Sequence, residues 1–111
     1  MGLHEHVGSD AAQFYEDIAK SRDLSELDIV SIGAATTYAA TKQYDEYVAK
    51  NGPLNQHNKT VEVLVGMAQK YLQELIETNK LYPEECVLIM EHTTVAIYHT
   101  MNTASQAGEK Y

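Results

Sequence analysis

Thr60 to Asn79, TVEVLVGMAQKYLQELIETN, decides the fold class. Val61, Leu64, Val65, Ala68, Leu72, Leu75 and Ile76 recur at steps of three and four, which sets them on one stripe of a 3.6-residue helix. Lys70, Glu74 and Glu77 fall mostly off that stripe. A helix with one apolar stripe needs a partner to cover it.

The partner lies upstream. Leu24-Ser25-Glu26-Leu27-Asp28 carries a helix start, with Ser25 as cap and Asp28 where the acidic residue of a capping box belongs. A helix from Glu26 to about Lys50 is expected, with Leu27, Val30, Ala34, Tyr38, Thr41 and Val48 on one stripe. Ile29, Gly33, Ala40, Tyr44 and Tyr47 lie beside it. Its segment GAATTYAAT, Gly33 to Thr41, has small side chains that let a second helix come close. Asn51-Gly52-Pro53 stops it, because glycine accepts the left-handed C′ conformation and proline cannot continue a helix. A short polar turn between two long helices implies an antiparallel hairpin, with Asn58 or Thr60 capping the second arm.

The flanks add one helix each. Ala11, Phe14, Tyr15 and Ile18 follow helical spacing after a cap at Ser9 or Asp10, and that helix should stop between Lys20 and Asp23. Pro83 suits the first position of a last helix, with Glu84 and Glu85 in its first turn. Cys86 to Met101, CVLIMEHTTVAIYHTM, fits a helical stripe through Val87, Met90, Thr94, Ile97 and Met101. Its β-branched residues would also suit a strand, but no strand partner is visible elsewhere, so it is read as helix. It is apolar around much of its circumference, so more than one neighbour should bury it, another subunit included.

The expected fold is all-α: a short N-terminal helix, a long antiparallel helical hairpin and a C-terminal helix, in a homo-oligomer. Residues 1–8 read as a flexible leader, 9–101 as a single helical domain and 102–111 as a flexible tail. Subunit contacts are expected at Gly33, Ala34 and Tyr38 on the first arm and at Leu88, Val95 and Ile97 on the last helix.

Composition narrows the classes. A chain of 111 residues with 44% hydrophobic side chains suits one domain with a core and argues against wholesale disorder. Cys86 is the one cysteine, which excludes an intrachain disulfide and fits a reducing cytoplasm. No apolar run approaches the roughly 18 residues of a membrane span, and MGLHEHVGSD lacks the pattern of a signal peptide. The net charge of −8 is uneven. Residues 1–37 carry two basic against seven acidic side chains, residues 38–80 five of each, and residues 81–111 one against four. A tight duplex binder usually shows a basic face, which one subunit of this charge lacks.

No motif for catalysis, metal or cofactor stands out. His4 and His6 flank Glu5 in what reads as a solvated tail. His92 and His99, seven apart, are separated by about 10.5 Å along a helix and cannot easily share an ion within one subunit, although symmetric copies would set either on an axis. Cys86 beside Glu85 reads as a structural thiol, not a nucleophile. Glu16-Asp17, Asp45-Glu46 and Glu84-Glu85 are adjacent in sequence and so point apart on helices. Tyr38, Tyr44 and Tyr47 near Lys42 and Lys50 allow an aromatic-basic surface for nucleic acid, with ordinary helix packing as the preferred reading.

From Phe14 to Glu85 the chain resembles the small terminase subunits of tailed phages, in particular the P27-like family. The resemblance is carried by Phe14-Tyr15 in a short first helix, Leu24-Ser25-Glu26-Leu27-Asp28 opening a long one, and the small and aromatic run from Ala34 to Val48. Asn51-Gly52, the second arm from Val61 to Thr78, and Leu81-Tyr82-Pro83 follow in the same order. Glu84-Glu85-Cys86 departs from the serine and arginine usual after that proline. The resemblance implies a non-enzymatic ring that recognises double-stranded DNA at packaging and regulates a large terminase subunit, in the host cytoplasm. Lys42, Lys50 and Lys59, around the hairpin turn, are then the expected DNA contacts. A structural helical oligomer and an acidic inhibitor of a nucleic-acid enzyme are the alternatives.

Overall fold

The computed structural model describes residues 2–8, 10–20, 24 and 27–108. Among these residues four α-helices form the fold: α1 (Ala11–Lys20), α2 (Ile29–Asn51), α3 (His57–Glu77) and α4 (Cys86–Gln106). Short 3-10 turns at Leu3–His6 and Pro83–Glu85 precede α1 and α4. No strand occurs among the described residues, so the β-branched segment after Pro83 is helix.

The helix ends follow local chemistry. Asp28 is the N-cap of α2, its side chain accepting from the Ser31 amide at 2.7 Å. The helix therefore starts three residues later than the expected Glu26, and the expected Ser25 cap lies outside the described residues, as does Ser9. At the other end Gly52 takes φ +82° and donates to the Val48 carbonyl, ending α2 where the sequence predicts. α3 begins at His57, ahead of the predicted caps, with Gln56 at the N-cap and no side-chain capping bond. The Thr60 hydroxyl instead donates back to the Gln56 carbonyl at 3.0 Å. Lys80 Nζ donates to the Ile18 carbonyl near the end of α1, where a cation suits the helix dipole.

Two apolar clusters make the core. One joins Ala40 and Tyr44 of α2, Val61 and Leu64 of α3, and Ile97 and Met101 of α4. The other joins Ile18 of α1, Ile32 and Ala35 of α2, Leu72 and Leu75 of α3, and Ile89 of α4. The predicted α3 stripe holds at Val61, Leu64, Ala68, Leu72 and Leu75, all buried. Each buried leucine contributes roughly 1.5–3 kcal/mol.

The stripes of α2 and α4 run in a different phase from the sequence expectation. Val30 and Val87, assigned to buried stripes, are exposed. Thr41 is buried as expected, while Thr36 and Thr37 of α2 and Thr93 and Thr100 of α4 are buried away from the expected stripes. Their hydroxyls need partners, and most find one in their own helix. Thr36 donates to the Ile32 carbonyl at 2.7 Å, Thr37 to Gly33 at 2.8 Å, Thr41 to Thr37 at 2.9 Å and Thr100 to Ala96 at 2.8 Å. Thr93 reaches across to the Gly33 carbonyl at 3.5 Å. With the polar atom satisfied, threonine packs as a short β-branched side chain.

Two terminal expectations change. Leu3, in the expected leader, is fully buried, its turn packed against α2 and α4. Asp45 on α2 holds it there, accepting from the Leu3 amide at 2.7 Å and the His4 amide at 3.0 Å. The His4 ring Nδ1 hydrogen-bonds the same carboxylate and packs edge-on to Tyr38, so His4 is part of a clasp and not a solvated tail. A Cβ on Gly2 would lie 2.5 Å from Asp45 Oδ2, so the clasp fits glycine there. At the far end α4 runs to Gln106, because Ala104 is buried and Thr103 donates to the His99 carbonyl.

Candidate functional site

The inner side of α4 is a stripe of Ile89, Thr93, Ile97, Thr100, Met101 and Ala104, all buried. Its outer side carries exposed apolar residues among polar ones, with Glu91, His92 and His99 exposed beside them. Val87 is 67% exposed, Leu88 49%, Val95 70% and Tyr98 48%. These four positions spread over the face opposite the core, with Glu91 between them. An open groove of ≈ 790 Å³ continues this face onto α3. Val65, Leu72 and Ile76 line it from α3 and Val87, Met90 and Val95 from α4, and Glu91 is the one charged side chain among its lining residues.

The expected subunit contacts divide between surface and interior. Leu88 and Val95 are on the outer face. Ile97 is not a surface contact: it is fully buried in the core with Leu64 and Ala68. Gly33 also faces inward, at the crossing of α2 and α4, where an added Cβ would meet His92 Cβ at 3.2 Å. Tyr38 is half-buried against His4 and Tyr15, the latter ring at 5.4 Å. Ala34 beside them is half-buried. The small side chains of α2 thus admit helices of the same chain. Val87, expected on the buried stripe, lies on the surface because the spacing of apolar residues alone set the expected phase of α4. The threonines at 93 and 100 were the signal, since they repeat at seven with Ile89 and Ile97 beside them.

The lysines do not form one patch. Lys50 and Lys59 are exposed on either side of the 52–56 connection. Lys42 lies eight residues, or about 12 Å, back along α2. Its ammonium sits 5.8 Å from the Tyr15 ring centre and 5.9 Å from that of Tyr38. There Lys42 and Lys70 share a polar depression with Glu46 and Glu74, whose carboxylates offset them. Tyr44, expected on the aromatic-basic surface, is fully buried, its hydroxyl accepting from the Leu54 amide at 3.4 Å.

Other titratable groups are tuned by packing. Burial, and then Glu85, push the Cys86 thiol above its usual range, which disfavours the nucleophilic thiolate. Burial, and then Tyr15 and Glu74, raise the Tyr71 hydroxyl. The Ser31 hydrogen bonds hold Asp28 below the usual carboxylate value. Among the described residues no group of three or more His, Cys, Asp or Glu is placed to hold a metal ion. No described helix is long and apolar enough to cross a membrane.

Fold and surface define a class: an all-α fold, with four α-helices among the described residues, whose last helix carries exposed apolar residues opposite its buried stripe. The chain belongs to the Virulence factor CipC-like family, which it matches over residues 8–87. The matched stretch covers α1, α2 and α3 and ends at the second residue of α4. Comparison with curated proteins and with solved structures returned no match. The family match overturns the resemblance to phage small terminase subunits. The residues that carried it, a cap, a glycine turn and a proline between helices, are what any chain needs to punctuate long helices.

Proposed function

We propose that this protein acts by assembly and contact, as a non-enzymatic helical oligomer, and that α4 is its assembly element. The family match removes the ground for DNA packaging, so the structural reading takes its place. One observation carries it. The outer face of α4 presents Val87, Leu88, Val95 and Tyr98 to solvent in a chain with a net charge of −8. An exposed apolar cluster opposite the core face of a helix ordinarily marks a contact surface. Copies of an acidic chain repel one another over most of their surface, and this face is where they can meet.

The same reading takes α2 and α3 as antiparallel arms of a hairpin that braces α4. The core clusters support this: late α2 shares a cluster with early α3, and early α2 shares one with late α3. Sedimentation velocity over a concentration series tests the proposal. An oligomer that Leu88→Glu dissociates without loss of helicity is expected. A wild-type protein that stays monomeric at every concentration overturns the reading.

A further inference from the structure

We infer that the groove between α3 and α4 holds a helix of another protein, apolar on one side and rich in lysine or arginine on the other. This goes beyond the assembly reading and does not depend on it. The groove shares Val87 and Val95 with the assembly face but not Leu88 or Tyr98.

The walls set the shape of the occupant. Both are α-helices, whose backbone groups bond within their own helix, so an extended peptide laid between them would find no backbone partners. A helix brings its backbone already satisfied and needs only a trough for its side chains. On α3 the lining runs from Val65 to Ile76, about 16 Å along the axis, which is room for about three turns. Half-buried Met90 lies opposite on α4, and a methionine adapts to the shape of an incoming apolar side chain.

The charges set the sign of the occupant. Glu91 stands in the α4 wall, and among the described residues no lysine or arginine lines the groove. From Leu81 to Gly108 the chain carries Glu84, Glu85 and Glu91 and no lysine or arginine at all. On α3, Glu62 is exposed seven residues before Gln69 and therefore on the same side of the helix. Lys70 instead lines the depression it shares with Lys42 of α2. Lys59 precedes Val65 by six residues, about 9 Å along the axis. Gln69 and Gln73 add amide oxygens that can accept from an ammonium or a guanidinium. An apolar trough with carboxylates and no cation around it complements a basic amphipathic helix. The same carboxylates repel the phosphates of a membrane surface or a nucleic acid.

Fluorescence anisotropy with the full-length protein tests this. The probe is a fluorescein-labelled peptide of about 14 leucines and lysines, its leucines at i, i+3, i+4 and i+7. It should bind, and a version with alanine for leucine should bind at least about tenfold more weakly. Gln73→Lys with Glu91→Lys, both at exposed positions, should weaken the leucine peptide at least about tenfold. Gln13→Lys with Glu16→Lys makes the same change in net charge at exposed positions of α1, outside the groove lining, and should weaken it less than about threefold. Leu88→Glu, also outside the lining, should bind at least as tightly as wild type. No binding, or equal weakening by the two double variants, overturns the inference and leaves the assembly reading standing. An oligomer that Gln73→Lys with Glu91→Lys dissociates has a second copy in the groove, and this too overturns the inference. A monomeric wild type that binds the peptide as described overturns the assembly reading alone.

Discussion

Removing the Asp45 carboxylate should release the clasp formed by residues 2–6. Asp45 accepts two backbone amides, from Leu3 and His4, and the His4 ring nitrogen. The pairing is half-screened, with 17% of the Asp45 side chain and 32% of His4 still exposed. Hydrogen bonds to a charged group contribute about 1.5–3 kcal/mol each when shielded, and solvent reduces that here. For the three together we expect a loss of about 2–3 kcal/mol in Asp45→Ala. Unfolding entropy of about 2.1 cal/mol/K per residue, over 111 residues, makes 1 kcal/mol worth about 4 °C. Asp45→Ala should therefore melt about 8–12 °C lower. Asp45→Asn keeps one acceptor oxygen and should lose about half as much. Differential scanning calorimetry measures the shift, and hydrogen exchange reads the Leu3 and His4 amides directly. If Asp45→Ala melts within about 3 °C of wild type and those amides stay protected, the carboxylate is not what ties the segment down.

Four further outcomes are expected. Leu64→Ala, at a fully buried position between helices, should destabilise by about 3 kcal/mol in urea titration. Gly33→Leu should cost about 2 kcal/mol by forcing α2 from α4. Gly33→Ala should stay within about 1 kcal/mol of wild type, because added helix propensity opposes a tight contact with His92. Asp28 has a lowered carboxyl pKa in the folded chain, so its stabilisation is fully present above the unfolded value of about 3.9 and is lost as pH falls through the folded value. Wild type should thus exceed Asp28→Ala in stability at neutral pH, with the gap closing in acid. Cys86, its thiol raised by burial and Glu85, should react with iodoacetamide at pH 7.5 more slowly than in the denatured chain, followed by mass spectrometry.

What could be read from the residues depended on where polarity and burial agree. In α3 they agree, and the apolar stripe from Val61 to Leu75 was right because no polar residue within it had to be buried. Gly52 likewise ended α2 as its conformational freedom requires. In α2 and α4 the core also takes threonines off the expected stripes, Thr36, Thr37, Thr93 and Thr100, which turns each helix so that Val30 and Val87 face outward. The clasp was hidden for another reason. Leu3 and Asp45 are 42 residues apart, and nothing local in either marks the pair. The candidate surface was half visible: excess apolar character in α4 showed in the sequence, but which of its sides stayed open depended on where α2 and α3 lay.

The inward threonines have a consequence for how freely this sequence can change. Each of Thr36, Thr37, Thr41 and Thr100 gives its hydroxyl to a carbonyl one turn back in its own helix. Replacement by valine or alanine strands no donor on a neighbouring helix and obliges no second site to follow. Those positions can drift one at a time. Asp45 has no such latitude, because its partners lie in another element and lose their acceptor with it. The interior thus combines a permissive seam with one fixed knot, and the knot is at the place where the N-terminal segment is fastened.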